Sequence, residues 1–311
     1  MTSFPIDSAK IIDALQYPDG IVDVVIDTDA YNEVDDQFAI AWALCSSERL
    51  NVQAVYAAPF CSKAIQTLLP ISEDALKGFS HYAGDPAEGM EKSYQEILKL
   101  FSLMGEDPAG RVFRGSDRYI GGDGLPVDSE VARDLVRRAM ARKSGDRLYI
   151  LAIGAITNVA SAILMEPEIV DRITVVWLGG QPPHYNSAVE FNLMQDMTAS
   201  RLLLDCGVPL VLIPCLGVSS HLAVTQPELD TLLIGKSRLG SYLGEIVKET
   251  FNPAALPMSD RFMKAGYLRS MDDVPPEIAN CYAARTAAWS HIICDISVVG
   301  YLISPNWCAS T

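Results

Sequence analysis

Short apolar runs alternate with segments of helical periodicity along most of the chain, and this alternation limits the possible folds more than any other feature. Strands separated by helices form mostly parallel sheets, because a parallel connection needs a crossover segment that is usually a helix. We therefore expect an α/β fold with a mostly parallel central sheet flanked by helices. The predicted strands cover residues 21–26, 52–57, 147–153, 173–178 and 209–214.

The segments between these runs predict the helices and one long loop. No internal repeat, low-complexity tract or proline-rich linker divides the chain, so we expect residues 1–311 to form a single domain. A glycine-rich polar segment at 111–126 is predicted to be a loop of the kind that often lines a site. Helices are predicted at 35–47, 128–142, 158–165, 195–206, within 227–251 and at 282–302, with interrupted helices between 63 and 103.

The chain is strongly acidic, which excludes several classes of partner. With 24 Lys and Arg against 39 Asp and Glu, the formal net charge is −15, and this disfavours binding to nucleic acid or to anionic membrane surfaces. Seven cysteines without a CxxC pair indicate neither a disulfide framework nor a zinc site. No apolar stretch approaches the roughly 20 residues that span a bilayer, so we expect a soluble, cytoplasmic protein.

Five carboxylates follow the first predicted strand within the segment DTDAYNEVDD: Asp27, Asp29, Glu33, Asp35 and Asp36. Carboxylates at this density repel one another, and a divalent cation would relieve that repulsion. A ligand set made of oxygen atoms favours Ca²⁺ or Mg²⁺. Asp29 ends the strand and Asp36 begins the helix, so the loop between them can bring both to one ion. Asp35 lies about 100° around the helix axis from Asp36 and is available as a base.

The residues alone leave this acidic segment open to other interpretations. The same acids could cap a helix and complement its dipole in a solvated loop. A metal-dependent phosphohydrolase, with Asp27 or Asp29 as the nucleophile, is a further alternative. Residues 27–36, Ile153-Gly154 and Gly179-Gly180 all follow predicted strands. Because ligands of open parallel α/β sheets bind beyond the carboxyl ends of the strands, we expect these segments to converge on one site.

Four motifs in order along the chain resemble those of the inosine-uridine type nucleoside hydrolases. They are Asp27-Thr28-Asp29 with Asp35-Asp36, the turn at 153–158, Glu190-Phe191-Asn192, and Asp295 near the C-terminus. The resemblance therefore spans almost the whole chain. It implies Ca²⁺-dependent hydrolysis of the N-glycosidic bond of ribonucleosides to ribose and free base, in purine or pyrimidine salvage. It also implies a homodimer or homotetramer.

The resemblance also implies roles for individual residues. Asp29, Asp36 and Asp295 would bind Ca²⁺ together with the backbone carbonyl of Ile153. Asp35 would be the general base toward a water held by the metal. The sugar would be bound by Asp27, Glu190 and Asn192, and Asn32 and Asn186 are further candidates for substrate contacts.

Departures from the family pattern concern the leaving base. Where the family has an asparagine after the second strand, this chain has Ala58-Pro59-Phe60, and Ile120 and Cys294 stand where histidines are expected. The chain is therefore similar to a less characterised, cysteine-bearing branch of the family. The candidates for a leaving-group acid are Cys294, His291, His184 and Tyr31. A structural role is commoner than a catalytic one for such residues: Cys294 would then be a small buried hydrophobic side chain, and His291 a core residue.

Two further functions remain open at this stage. A related hydrolase could act on another N-riboside, such as a nicotinamide riboside or a modified nucleoside, with the same acids and different residues around the leaving group. A catalytically weak ribose-binding protein would explain the missing asparagine and histidines. Turnover of a panel of nucleosides distinguishes the enzymes from the binding protein.

Overall fold

The computed structural model describes residues 7–67, 72–77, 81–143, 145–185, 189–215, 217–248, 289–304 and 307. Its described strands form one sheet in the order β3-β2-β1-β4-β5-β6, and every pair of neighbours is parallel. The α/β prediction is confirmed. The strands are β1 Val22–Thr28, β2 Leu50–Ala57, β3 Val112–Arg114, β4 Leu148–Ile153, β5 Ile173–Leu178 and β6 Leu210–Ile213.

Helices cover both faces of this sheet. The α-helices are α1 Ser8–Ala14, α2 Asp36–Cys45, α3 Glu73–Leu76, α4 Pro86–Met104, α5 Glu130–Met140, α6 Thr157–Met165, α7 Phe191–Gln195, α8 Met197–Asp205, α9 Gln226–Leu232, α10 Arg238–Lys248 and α11 Ile296–Ile303. Short 3₁₀ helices lie at Ser62–Thr67, Pro167–Asp171 and Ser219–His221. None of the helices in the described ranges is both long and apolar enough to cross a membrane.

Three predictions of secondary structure need correction. The loop predicted at 111–126 contains the short strand β3. The helix predicted at 195–206 is divided at Asp196, whose non-helical backbone separates α7 from α8 while its side chain caps α8. The helix predicted at 282–302 begins at Ile296 in the described part, and Trp289 instead forms a bridge with Thr225. His291 and Cys294 therefore do not lie on one helical face.

The core explains why the strands are apolar along their whole length. Successive residues of β1 point to opposite faces, so that Val24 and Ile26 pack with α2, α4 and α11, while Val25 packs with α5, α6 and α8. All six residues of β4 and of β5 are buried. Parallel strands covered on both faces read as continuous apolar runs rather than as alternating ones.

The strand order places the site. From β1 the chain moves outward to β2 and β3 on one side, and from β4 it moves to β5 and β6 on the other. The crevice between the carboxyl ends of β1 and β4 is the point at which such sheets bind ligands. Thr28 at the end of β1 lies opposite Ile153 at the end of β4. The two carboxylates next to Thr28 therefore stand at this crevice.

Candidate active site

Asp27 is the first carboxylate of the site, and in the described part of the chain Asn158 is its one side-chain hydrogen-bond partner. Its Oδ1 atom accepts a hydrogen bond from Asn158 Nδ2 at 2.7 Å. Its Oδ2 atom is buried without a hydrogen-bond partner among the described residues. Burial raises the pKa of Asp27 to about 7, and the bond from Asn158 opposes that rise. Asp27 thus presents one satisfied and one unsatisfied oxygen.

Asn158 joins three segments at this edge of the sheet. Besides Asp27, its Nδ2 atom donates to the carbonyl of Ala57 at 3.2 Å, and its Oδ1 atom accepts from both N–H and Oγ of Ser116 at 2.8 Å. A Cβ at Gly115 would lie 2.0 Å from the Ala57 oxygen, so only glycine allows this approach. Asn158 therefore fixes the loop after β3 against the ends of β1 and β2.

A second group of carboxylates meets at the N-termini of two helices. Asp35 is the N-cap of α2, Asp36 is its first residue, and Asp295 is the N-cap of α11. One oxygen from each of these three side chains lies within 4.8 Å of the others, and all three residues are buried. The Asp295 N–H donates to Asp35 Oδ2 at 3.2 Å, and Thr28 Oγ1 donates to Asp36 Oδ1.

Asp29 lies beside this cluster, directly after the end of β1. A Cβ at Gly154 would lie 3.1 Å from both the Asp29 nitrogen and its Oδ1 atom, so the carboxylate packs against the residue that follows Ile153. The Asp29 Oδ2 atom is buried and has no hydrogen-bond partner among the described residues. Asp29, Ile153 and Asp36 therefore meet at one edge of the sheet, although Asp29 is not one of the three residues whose oxygens lie within 4.8 Å of one another.

Burial and mutual repulsion perturb these carboxylates strongly. Burial, followed by the charges of neighbouring carboxylates, raises the pKa of Asp29, Asp36 and Asp295 well above the usual value. Burial raises the pKa of Asp35 to about 7, and the nearby charge of Glu33 adds to the rise. A cation would offset these costs. The oxygen donors, the unpartnered Asp29 oxygen and the close approach of three carboxylates fit a hard divalent ion.

The loop between Asp29 and Asp35 is held by a hydrogen bond within the loop and by the side chain of Gln37. The Asn32 N–H donates to the Asp29 carbonyl at 2.7 Å, and buried Gln37 Nε2 donates to the carbonyls of Ala30 at 2.5 Å and Glu33 at 3.4 Å. The Asn32 side chain is half-buried and Glu33 is exposed. The Glu33 carboxylate is near enough to raise the pKa of Asp29, Asp35, Asp36 and Asp295.

Glu190 and Asn192 are buried beyond the end of β5. Glu190 is the N-cap of α7: its Oε1 atom accepts from Asn192 N–H at 2.9 Å, and its Oε2 atom accepts from the N–H groups of Gly180 at 2.9 Å and Leu193 at 3.0 Å. Asn192 Nδ2 donates to the carbonyl of Leu178 at 3.1 Å. Burial raises the pKa of Glu190 to about 7 against these three bonds. Asn186 lies outside the described residues.

The leaving-group candidates occupy different environments. A hydrogen bond with Cys215, together with burial, raises the pKa of Cys294 well above its ordinary value. His291 is exposed, and its charge lowers the pKa of Asp35. His184 is exposed and its ring centroid lies 4.9 Å from that of Tyr185.

Tyr31 forms a small stack at the surface. Its ring lies over the ring of His81 with centroids 5.0 Å apart, and Lys92 Nζ lies 5.7 Å from its centroid. Of the residues that replace family side chains, Phe60 and Ile120 are buried in the apolar core. These two positions therefore offer no polar group to a leaving base.

Gln195 and Asp196 were not identified as site residues from the sequence. Gln195 Oε1 accepts from Cys61 N–H at 2.9 Å and from Tyr119 O–H at 2.7 Å. Asp196 Oδ2 accepts from Ile120 N–H and Thr157 Oγ1, each at 2.8 Å. Together they attach the loop after β3 to the junction of α7 and α8. The only sequence signal was their position three and four residues after Asn192.

The fold and the site together define a class of protein. It is a doubly wound α/β protein with a carboxylate-lined site, suited to a cation, at the point where the strand order reverses. A family model described as "Inosine-uridine preferring nucleoside hydrolase" matches residues 24–310. The chain belongs to this family, and the predictions of the family and of an N-ribohydrolase are confirmed.

Known proteins similar to this chain agree with that assignment. "Probable uridine nucleosidase 2" of Arabidopsis thaliana is 25% identical over 72% of this chain and 68% of its own length. "Pyrimidine-specific ribonucleoside hydrolase RihB" of Shigella flexneri is 28% identical over 55% of this chain, and the match spans half of that protein. A solved structure, the purine-preferring ribonucleoside hydrolase from Gardnerella vaginalis, shares the fold with a TM-score of 0.59 at 20% identity, covering 91% of this chain and 80% of that one.

Proposed function

We propose that this protein hydrolyses the N-glycosidic bond of ribonucleosides, releasing ribose and the free base. Family membership supports the reaction class. The observation that carries the proposal is the buried group of Asp35, Asp36 and Asp295 beside Asp29, at the switch point of the sheet. Burying several carboxylates together costs free energy, and a bound cation compensates that cost by balancing their negative charge.

The ligand that suits these donors is a divalent cation, and we assign Ca²⁺. Asp29, Asp36 and Asp295 would supply carboxylate oxygens, and Ile153 its backbone carbonyl. Calcium accepts six to eight oxygen ligands in flexible geometry, which suits donors that come from a strand end and two helix N-termini. When bound, the ion lowers the pKa of the attacking water and orients the hydroxyls of the sugar.

Asp35 is the general base in this proposal. It is the N-cap of α2, directly before the proposed ligand Asp36, and the Asp295 N–H holds one of its oxygens. Its carboxylate would take a proton as water attacks the anomeric carbon opposite the departing base. Asp27, held by Asn158, would accept a hydrogen bond from a ribose hydroxyl at its unpartnered oxygen.

Glu190 and Asn192, both buried beyond the end of β5, are proposed to contact the substrate, and Asn32 and Asn186 are further candidates. The assembly into a homodimer or homotetramer also remains a prediction, and light scattering on the purified protein measures it. Assays at two protein concentrations would show whether turnover depends on assembly.

Ribose release from a panel of nucleosides tests the proposed function. The panel contains uridine, cytidine, inosine, adenosine and nicotinamide riboside, with 4-nitrophenyl riboside as an activated reference, each with and without a chelator. Chelator-sensitive release from a natural nucleoside supports the proposal. Release from the aryl riboside alone places the natural substrate among other N-ribosides, and no release at all favours a ribose-binding protein.

The variant Asp35→Asn tests the general base. We expect kcat to fall by several orders of magnitude while Ca²⁺ binding, followed by calorimetry, stays close to that of the wild type. Asp107→Asn is the matched control, because Asp107 is an exposed residue in the turn after α4. Near wild-type kcat in Asp35→Asn would exclude Asp35 as the base.

A further inference from the structure

Gln195 carries a buried donor that has no acceptor among the described residues. It is the last residue of α7 and is only 7% exposed. Its Oε1 atom accepts from Cys61 N–H at 2.9 Å and from Tyr119 O–H at 2.7 Å, whereas its Nε2 atom is buried without a hydrogen-bond partner. Since a backbone N–H can only donate, the amide must turn its oxygen toward Cys61. The unpartnered atom is therefore the nitrogen, with two N–H groups to donate.

Gln195 lies where three loops of the carboxyl edge meet. Cys61 follows β2, Tyr119 belongs to the loop after β3, and Gln195 belongs to the segment after β5. Hydrogen bonds connect this meeting point to the carboxylate site: Asp196, next to Gln195, accepts from Thr157 Oγ1 at 2.8 Å, and Asn158, next to Thr157, donates to Asp27 Oδ1 at 2.7 Å. Burial, then the neighbouring Cys61 and Asp29, raise the pKa of the Tyr119 hydroxyl. The buried amide therefore belongs to the wall of the proposed active site.

The loop that carries Tyr119 is attached at both ends, so the amide cannot easily turn to find another acceptor. Asn158 binds Ser116 at one end, and Asp196 binds the Ile120 N–H at the other at 2.8 Å. A buried donor left unpaired costs free energy, and native structures rarely keep one without a ligand or water to accept it. The geometry thus holds a donor ready for an acceptor that arrives with the substrate.

The chemistry of the substrate indicates which part of it supplies that acceptor. The acids proposed to hold the sugar accept hydrogen bonds, which matches the hydroxyl donors of ribose. An amide N–H requires the opposite partner, and a carbonyl oxygen on the base is an obligate acceptor. Cytosine and adenine carry an amino group, which is a donor, where uracil and hypoxanthine carry an oxygen.

We propose that Gln195 is a specificity-determining residue that donates a hydrogen bond to this exocyclic oxygen of the leaving base, with Tyr119 as the residue that orients its amide. The inference rests on the proposed function and names the residue of this site that would recognise the oxo form of the base. The protein should prefer uridine to cytidine and inosine to adenosine.

The test compares kcat/KM ratios within matched pairs of nucleosides. Uridine against cytidine and inosine against adenosine are measured for the wild type, Gln195→Met and Tyr119→Phe, with 4-nitrophenyl riboside as the reference substrate. A ratio within one preparation does not depend on the fraction of folded enzyme. Gln226→Leu is the control, since Gln226 lies at the start of α9 and bonds to Asp230 at 3.0 Å.

We expect Gln195→Met to lower the kcat/KM ratio of the oxo nucleoside to the amino nucleoside about tenfold in at least one pair. This is the change in rate expected when the transition state loses about one hydrogen bond. Tyr119→Phe should lower it in the same direction by a smaller factor, and Gln226→Leu should leave the ratios at the wild-type values. An unchanged ratio in Gln195→Met refutes the inference. An equal fall on all substrates, the aryl riboside included, places the amide on the sugar and also refutes it.

The same assay separates this inference from the proposed function. Turnover of any riboside by the wild type, with ratios that Gln195→Met does not alter, refutes the role of Gln195 alone. Absence of turnover of all substrates, including 4-nitrophenyl riboside, refutes the proposed function, and the inference falls with it.

Discussion

Replacing Asn158 by leucine should cost this protein more stability than most single substitutions do. Asn158 is fully buried, and its amide makes four hydrogen bonds: to Asp27 and Ala57 as donor, and from the N–H and hydroxyl of Ser116 as acceptor. Leucine has a similar shape and no polar atoms, so Asn158→Leu removes these bonds without opening a large cavity. The groups left behind remain buried.

The magnitude follows from which groups lose their partners. The Ser116 N–H becomes a buried unpaired donor, at a cost of about 1–3 kcal/mol. Asp27 loses the one hydrogen bond that its carboxylate accepts from the described residues, and bonds to charged groups contribute about 1.5–3 kcal/mol. The hydroxyl of Ser116 can rotate, so we add nothing for it. The free energy of unfolding should therefore fall by about 2.5–6 kcal/mol, a large part of the roughly 5–15 kcal/mol of a typical domain.

Urea unfolding followed by circular dichroism measures this loss, at one fixed Ca²⁺ concentration for all variants. The matched control is Asn51→Leu, because Asn51 is exposed and its side-chain amide donates to Asp23 Oδ1 at 2.6 Å. We expect the control to change the free energy of unfolding by less than about 1 kcal/mol. The reasoning is wrong if Asn158→Leu also loses less than about 1 kcal/mol, or no more than the control.

Two further substitutions test the leaving-group side and the close approach of the loops. Cys294→Ala should change kcat/KM by less than about threefold on nucleosides and on 4-nitrophenyl riboside alike, because the thiol is buried and stays protonated; a loss confined to nucleosides would instead indicate an acid. Gly115→Ala should lower the free energy of unfolding by about 1–3 kcal/mol, since its Cβ would lie 2.0 Å from the Ala57 oxygen, whereas Gly122→Ala meets nothing within 4 Å and should be close to neutral.

The strands were predictable because burial on both faces leaves a direct mark on the sequence. Ile173–Leu178 is apolar throughout and matches the predicted strand residue for residue. The strand Val112–Arg114 was missed because three residues between glycine-rich segments carry no periodicity. The division at Asp196 was missed for a different reason: its side chain caps the next helix by accepting from the Ala199 N–H, which local helical spacing does not reveal.

The residues of the site also differ in whether the local sequence indicates them or only the tertiary structure brings them together. Asp27, Asp29, Asp35 and Asp36 are close in sequence, and an acidic segment directly after an apolar strand indicates a switch-point site. Asp295 joins them across 260 positions, and only the family resemblance pointed to it.

Asn158 and Gln195 show why the hydrogen-bond roles of single residues could not be predicted. A glutamine or asparagine in a helix has no chemical signature of its own, since its role depends on the donors and acceptors that distant segments bring to it. For Asn158 those partners all belong to the chain, and the amide is fully used. For Gln195 they account for the oxygen alone. This difference between two buried amides is the reason that Gln195, and not Asn158, is proposed to meet the substrate.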